Sequence, residues 1–260
     1  MGAVLEARRL NKSFGAVTAA ADIDVSIDED SVVGLIGSNG AGKTTFINMI
    51  TGYLAPTSGQ IVYQGREITG FKPREVTALG ICRSFQIPQL FNTLSVTENL
   101  LVGVEIASRS TRADSTSRAS ERAQVEQLIE RFNLGGYATQ AAAQLPEGVR
   151  KLLDIAMAVA GRPKVLLLDE PTSGVSAEEK FRLMDMVMSA LKSEGVTVLF
   201  VEHDMDIVSR YTHRVLAFYE GRIIADGAPA QVLQDAEVRR YVIGEHVPAS
   251  ARGEADRAAH

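Results

Sequence analysis

Val32-Val33-Gly34-Leu35-Ile36-Gly37-Ser38-Asn39-Gly40-Ala41-Gly42-Lys43-Thr44-Thr45 decides the fold class, because an apolar run leads straight into a glycine-rich loop that ends on Lys-Thr. The pattern is that of a phosphate-binding P-loop, and it predicts a strand over residues 32–36, a loop, and a helix opening near Gly42. Each residue type has its own task. The glycines let backbone N–H groups crowd around phosphate oxygens, and the positive end of the helix dipole adds to the attraction. Gly37, Ser38, Asn39, Gly40, Ala41, Gly42, Lys43, Thr44 and Thr45 are therefore the candidate triphosphate-binding set. Lys43 is expected to reach the β- and γ-phosphates, and Thr44 a Mg²⁺ ion.

A second nucleotide motif stands downstream at Val165-Leu166-Leu167-Leu168-Asp169-Glu170. Its aliphatic run suits a parallel strand buried on both faces, and its two carboxylates fall at the C-terminal end, where open α/β sheets place their ligands. Asp169 is expected to hold Mg²⁺, directly or through water, and Glu170 to polarise an attacking water. Without the P-loop the same residues would read as a buried strand followed by a solvated acidic turn.

The 260 residues suffice for one large domain or a domain with a subdomain. One cysteine, Cys82, excludes an internal disulfide framework and fits a reducing compartment. Twenty-seven basic against thirty-two acidic residues give a net charge of −5, so no global positive field draws the chain to nucleic acid. No stretch approaches the length of an apolar spanning helix, and Met1-Gly2-Ala3-Val4-Leu5-Glu6-Ala7-Arg8 lacks the apolar core of a signal peptide. A cytoplasmic location is expected, with any membrane association made through a partner protein.

Around the first motif, residues 4–10 and 21–27 read as strands of an antiparallel flank, with Ile23, Val25 and Ile27 alternating against Asp24, Ser26 and Asp28. A helix over 43–51 should end at Gly52. Residues 59–63 read as a strand, Gly65 as a turn, and 73–79 as a helix. The character changes over 87–160, where helical periodicity in 96–104 and 118–132 predicts a helical subdomain. Between those helices, 108–120 is rich in Ser, Thr, Arg and Ala and is expected to be a mobile surface segment. Residues 177–193 predict a helix and 196–201 a second buried strand, which restores α/β alternation. The small, polar tail over 248–260 is expected to be disordered.

Taken together these segments resemble the ATP-binding subunit of an ATP-binding cassette (ABC) transporter, over residues 4–245. The resemblance implies a P-loop ATPase with a RecA-like core over 1–86 and 161–247, an antiparallel flank, and an inserted helical subdomain over 87–160 that carries the signature loop. Phe14, in Leu10-Asn11-Lys12-Ser13-Phe14-Gly15, corresponds to the aromatic on which adenine stacks, although packing would equally place an aromatic there. Gln86, in Arg83-Ser84-Phe85-Gln86, corresponds to the Q-loop glutamine that contacts Mg²⁺ and the attacking water. His203, in Val201-Glu202-His203-Asp204, corresponds to the switch histidine at the γ-phosphate. Implied with them is in-line attack of water on ATP. The complete site forms when two such domains meet head to tail, sandwiching ATP between one P-loop and the partner's signature loop.

The pattern breaks at the signature. Where the family reads Leu-Ser-Gly-Gly-Gln, this chain has Leu145-Pro146-Glu147-Gly148-Val149. Pro146 brings neither hydroxyl nor N–H, and Glu147 brings a negative charge. Ser176 stands where many relatives carry Asp. Two readings remain open. One is an asymmetric pair whose partner site is weakened, in which case restoring Ser at 146 and Gly at 147 raises turnover there; the other is a tolerated variant.

Within the family, Arg83-Ser84-Phe85-Gln86, Leu90-Phe91, Leu94-Ser95-Val96-Thr97-Glu98-Asn99-Leu100-Leu101-Val102-Gly103 and Tyr241-Val242-Ile243-Gly244-Glu245 resemble the importers of branched-chain amino acids, amides and urea. That resemblance implies a second ATPase subunit, either a different chain or a second copy. It also implies two transmembrane permease subunits docked near residues 87–101, an extracytoplasmic solute-binding protein, and a place on the inner face of the plasma membrane. The alternatives are a lipopolysaccharide-export ATPase, a soluble repair or translation ATPase, and a non-hydrolysing regulatory partner. Against a repair enzyme, Lys43 and Asp169 stand only 126 positions apart, with no room for a long coiled coil.

Overall fold

Strand alternation shapes the first unit of the computed structural model, which describes residues 2–110, 118–192 and 194–244. β1 (Ala3–Phe14) and β2 (Val17–Asp28) pair antiparallel across a tight turn at Gly15. Ile23, Val25 and Ile27 are buried while Asp24, Ser26 and Asp28 face solvent, as period-2 patterning requires. β3 (Val32–Gly37) then enters the second sheet, and α1 (Lys43–Ile50) follows the loop. β4 (Ser58–Tyr63) and β5 (Arg66–Glu67) complete an antiparallel sheet of order β2-β1-β4-β5. α2 (Pro73–Ala78) starts on Pro73, which is pre-organised for a first helical position, and leads to β6 (Ile81–Ser84).

Three longer helices follow: α3 (Val96–Ser110), α4 (Arg118–Arg131) and α5 (Glu147–Val159). Helix reaches further into the expected surface segment 108–120 than its polarity suggested, since Ser108 to Ser110 continue α3 and Arg118 to Ser120 open α4. Ala and Arg are good helix formers, and helices propagate outward from packed turns. The rest of that segment, residues 111–117, and the tail over 248–260 lie outside the described residues.

Beyond the helices come β7 (Val165–Asp169), α6 (Ala177–Lys192), β8 (Thr197–Val201), α7 (Met205–Tyr211), β9 (Arg214–Tyr219) and β10 (Arg222–Gly227). The second sheet has the order β10-β9-β3-β8-β7-β6, parallel throughout except for β10. β7 and β8 are buried at every residue, which explains their unbroken apolar sequence. Their side chains divide between two cores. Leu166, Leu168, Val198 and Phe200 join the helices α3 to α6, whereas Val165, Leu167 and Leu199 join α1 and the antiparallel sheet.

The hairpin β9–β10 escaped the sequence reading. Its turn, Glu220-Gly221, has positive φ at both residues (46° and 78°), the geometry that suits a two-residue hairpin. The tip ties the two sheets together: Ala21 N–H donates to Gly221 O at 2.8 Å, and Gly221 N–H donates to Ala41 O at 2.9 Å. No helix among the described residues is long and apolar enough to cross a membrane.

Candidate functional site

The loop between β3 and α1 is shaped by glycine. At Gly42, φ is 106° and an added Cβ would lie 2.7 Å from Ala19 O; at Gly37 it would lie 2.6 Å from Phe218 O. Both positions are closed to side chains by neighbouring backbone. Gly42 is also the N-cap of α1, offers no capping side chain, and no acidic residue stands in the first turn. The helix therefore begins with amides that no side chain satisfies and with its positive dipole end free, which together attract an anion. Ser38, Asn39, Gly40 and Thr44 are exposed along the same loop, while Ala41 is buried.

Lys43 curls back over this loop, its Nζ donating to Gly37 O at 2.6 Å and Ser38 O at 3.0 Å. The side chain is buried. Burial pushes its pKa below the ordinary lysine value, while Glu170 and Asp169 oppose that shift by attraction. The expected lysine and the expected carboxylates are thus within electrostatic reach of one another.

Glu170 adopts a left-handed φ of 49° immediately after β7, and its N–H donates to Val201 O at 3.1 Å. Such a conformation is strained for a residue with a side chain and is held here by the strand end of β8. Both carboxylate oxygens are engaged. Gln86 Nε2 donates to Oε2 at 2.7 Å, and His203 Nε2 lies 3.1 Å from Oε1. Three residues read separately from the sequence, Gln86, Glu170 and His203, therefore form one bonded cluster, with Asp169 at the adjacent position.

Buried polar side chains that the sequence reading passed over hold this cluster. Glu202 accepts from Thr172 N–H (2.9 Å) and Thr172 Oγ1 (2.7 Å), and fixes the turn after Glu170. Lys151 of α5 donates toward Glu170 O (3.1 Å), Ser173 Oγ (3.2 Å) and Gln86 O (3.3 Å). One turn further on, Asp154 accepts from Ser84 Oγ (2.7 Å), Gln89 N–H (2.8 Å) and Phe85 N–H (3.2 Å). Burial lowers the Lys151 pKa, with Glu147, Glu202, Glu170 and Asp154 acting against it; burial raises that of Asp154, and its hydrogen bonds act against it. Lys151 and Asp154, at i and i+3 on α5, carried a legible signal: opposite charges in a helix that is otherwise apolar on its buried face.

None of these bonds involves Phe14, Pro146 or Glu147. Phe14 ends β1 with 52% of its surface exposed and Lys12 Nζ 5.1 Å from its ring centroid, so it is not a core side chain. Pro146 is the N-cap of α5 and Glu147 its first residue, where an acidic side chain suits the helix dipole; Glu147 lies 4.0 Å from Arg150.

The donors fit Mg²⁺. Thr44, Gln86 and Asp169 offer hard oxygens, and no group of three or more His, Cys, Asp or Glu among the described residues assembles a metal cage. Hard oxygens of this kind suit Mg²⁺, which keeps several waters and binds through substrate phosphates and a few protein oxygens.

Comparison with known proteins agrees with this geometry. A family model described as ABC transporter matches residues 20–173. The chain is 33% identical over 253 residues to the high-affinity branched-chain amino acid transport ATP-binding protein BraF of Pseudomonas aeruginosa, covering 93% of this chain and 98% of that protein. It is 31% identical over 250 residues to the corresponding protein LivG of Escherichia coli K12, covering 93% and 98%. Among solved structures, the ADP conformation of MJ1267, an ATP-binding cassette of an ABC transporter, superposes with a TM-score of 0.82 at 32% identity, covering 94% of this chain and all of that one.

Proposed function

Because the chain belongs to the ABC transporter family as an ATP-binding, ATP-hydrolysing subunit, we propose that it powers the import of branched-chain amino acids or related small organic solutes. The observation that carries the site is the convergence of Glu170, Gln86 and His203 within hydrogen-bonding distance, beside Asp169 and within electrostatic reach of Lys43. In this reading the amides of α1 and the loop receive the phosphates, and Lys43 leaves its loop carbonyls for the γ-phosphate oxygens. Mg²⁺, held by Thr44, Asp169 and Gln86, would supply charge neutralisation across the β- and γ-phosphates.

Glu170 then orients and polarises water for in-line attack. Each of its oxygens carries one contact in the free chain and keeps a second lone pair with which to accept from water. His203 would contact the γ-phosphate, where a donor fixed in advance is worth most. Phe14 offers an open ring for the adenine.

Two features support the partners. Beside α3 and the Q-loop lie exposed Tyr53, Ile87, Phe91 and Ile106, next to a cavity of about 580 Å³ lined by Tyr53, Phe85 and Ile106. An apolar surface of that kind suits cytoplasmic helices of two permease subunits, which would hold the chain at the inner face of the membrane. Glu147 sets a carboxylate at the start of α5, where a second subunit's nucleotide would approach, which favours pairing with a different ATPase chain. A solute-binding protein outside the membrane would deliver the cargo.

The test is uptake of radiolabelled leucine, isoleucine and valine in cells lacking this chain. Loss of uptake that the parent chain restores and Glu170→Gln does not is the expected outcome; uptake indifferent to the chain would reject the import reading.

A further inference from the structure

Arg83 stands where the two elements carrying the expected metal oxygens meet. It leaves edge strand β6, and its guanidinium forks: Nη2 donates to Asp169 Oδ2 at 2.5 Å and Nη1 to Asn48 Oδ1 at 2.7 Å. Asn48 lies one helical turn beyond Thr44 on α1, so the two share a face. One planar group thus spans from the helix of Thr44 to the strand end of Asp169. The Arg83 and Asp169 side chains are only 9% and 10% exposed, and Arg83 Nε is a buried donor with no partner among the described residues. Its outer side packs on Phe85, 4.8 Å from the ring centroid.

The geometry restricts what Asp169 can do. The charge-assisted bond to Oδ2 fixes the orientation of the carboxylate, and a positive neighbour weakens its pull on a cation. Lysine could supply the charge but not the fork.

We infer that Arg83 is a positioning residue for the divalent cation: it fixes Asp169 against α1 and offsets part of that carboxylate's charge. The inference rests on Asp169 and Thr44 being the cation's protein oxygens. A Mn²⁺ titration followed by EPR, on the full chain saturated with a non-hydrolysable ATP analogue, tests it alongside steady-state turnover. Arg83→Met removes fork and charge together, and should tighten Mn²⁺ by at least about tenfold while turnover falls. Arg83→Lys restores the charge alone, so Mn²⁺ affinity should return to within roughly threefold of the parent with turnover still low.

Unchanged or weaker Mn²⁺ binding in Arg83→Met overturns the inference, whatever happens to thermal stability. Should that variant not fold, Asn48→Ala cuts only the α1 arm and should lower turnover at least about threefold with nucleotide affinity kept; unchanged turnover overturns it equally. Analogue binding by the parent with Mg²⁺ present separates the two levels. Its absence would reject the nucleotide site itself, whereas binding with Mn²⁺ affinity indifferent to Arg83 rejects only the positioning role.

Discussion

Gly42 shows how little freedom the phosphate loop has at a single position. It is N-cap, left-handed residue and contact point with Ala19 at once, so a methyl group there meets backbone on a neighbouring strand rather than a side chain that could turn away. Gly42→Ala should cost about 2–3 kcal/mol in urea unfolding and abolish nucleotide binding; a stability change below about 0.5 kcal/mol would show that the loop can relax. Glu170 makes the complementary point. Its strained φ and its two occupied oxygens belong to three-dimensional packing, and neither was legible in the run Leu168-Asp169-Glu170, although the residue's identity was.

Helix α5 runs from Glu147 to the cluster around Glu170 and Gln86. Lys151 and Asp154 project from one face of it, and between them hold Gln86 O, Glu170 O and the amides of Phe85 and Gln89. A rotation of α5 would therefore carry both flanks of Gln86 with it. Asp154→Ala strands a buried hydroxyl and two amides, and should destabilise the chain by about 2–4 kcal/mol. Hydrogen exchange should report the change locally: the amides of residues 84–89 exchange faster while those of β7 and β8 keep their protection. Uniform exchange across the chain would show that Asp154 serves the core generally.

The elements with a strong pattern were legible, namely β2, β3, β7, β8, α3, α4 and α6, because burial on one or both faces writes directly into sequence; α1 followed from the phosphate-loop motif. Edge strand β6 and the hairpin β9–β10 were less visible, since their register depends on partners far along the chain. The same holds for the site. The P-loop, Asp169, Glu170, Gln86 and His203 were legible as motifs and Lys151 and Asp154 as opposite charges in an apolar helix, whereas Arg83 and Glu202 act through contacts that only folding creates.

Across the whole molecule, two cores share one parallel sheet, and the site lies where its strand ends, the P-loop helix and the Q-loop converge. The β9–β10 tip bonds to both Ala21 and Ala41 and so links the antiparallel sheet to the phosphate loop. The helical segment joins the sheet through one continuous apolar cluster and through the polar contacts of α5.

The most direct measurement is equilibrium binding of ATP to the purified full chain, parent against Lys43→Ala, in the presence of Mg²⁺ and with folding checked by circular dichroism. The parent should bind saturably and the folded variant at least about thirtyfold more weakly, because its loop loses the ammonium proposed to reach the phosphates. Equal affinity in the two chains, or no saturable binding by the parent, would contradict the assignment of this loop as the nucleotide site.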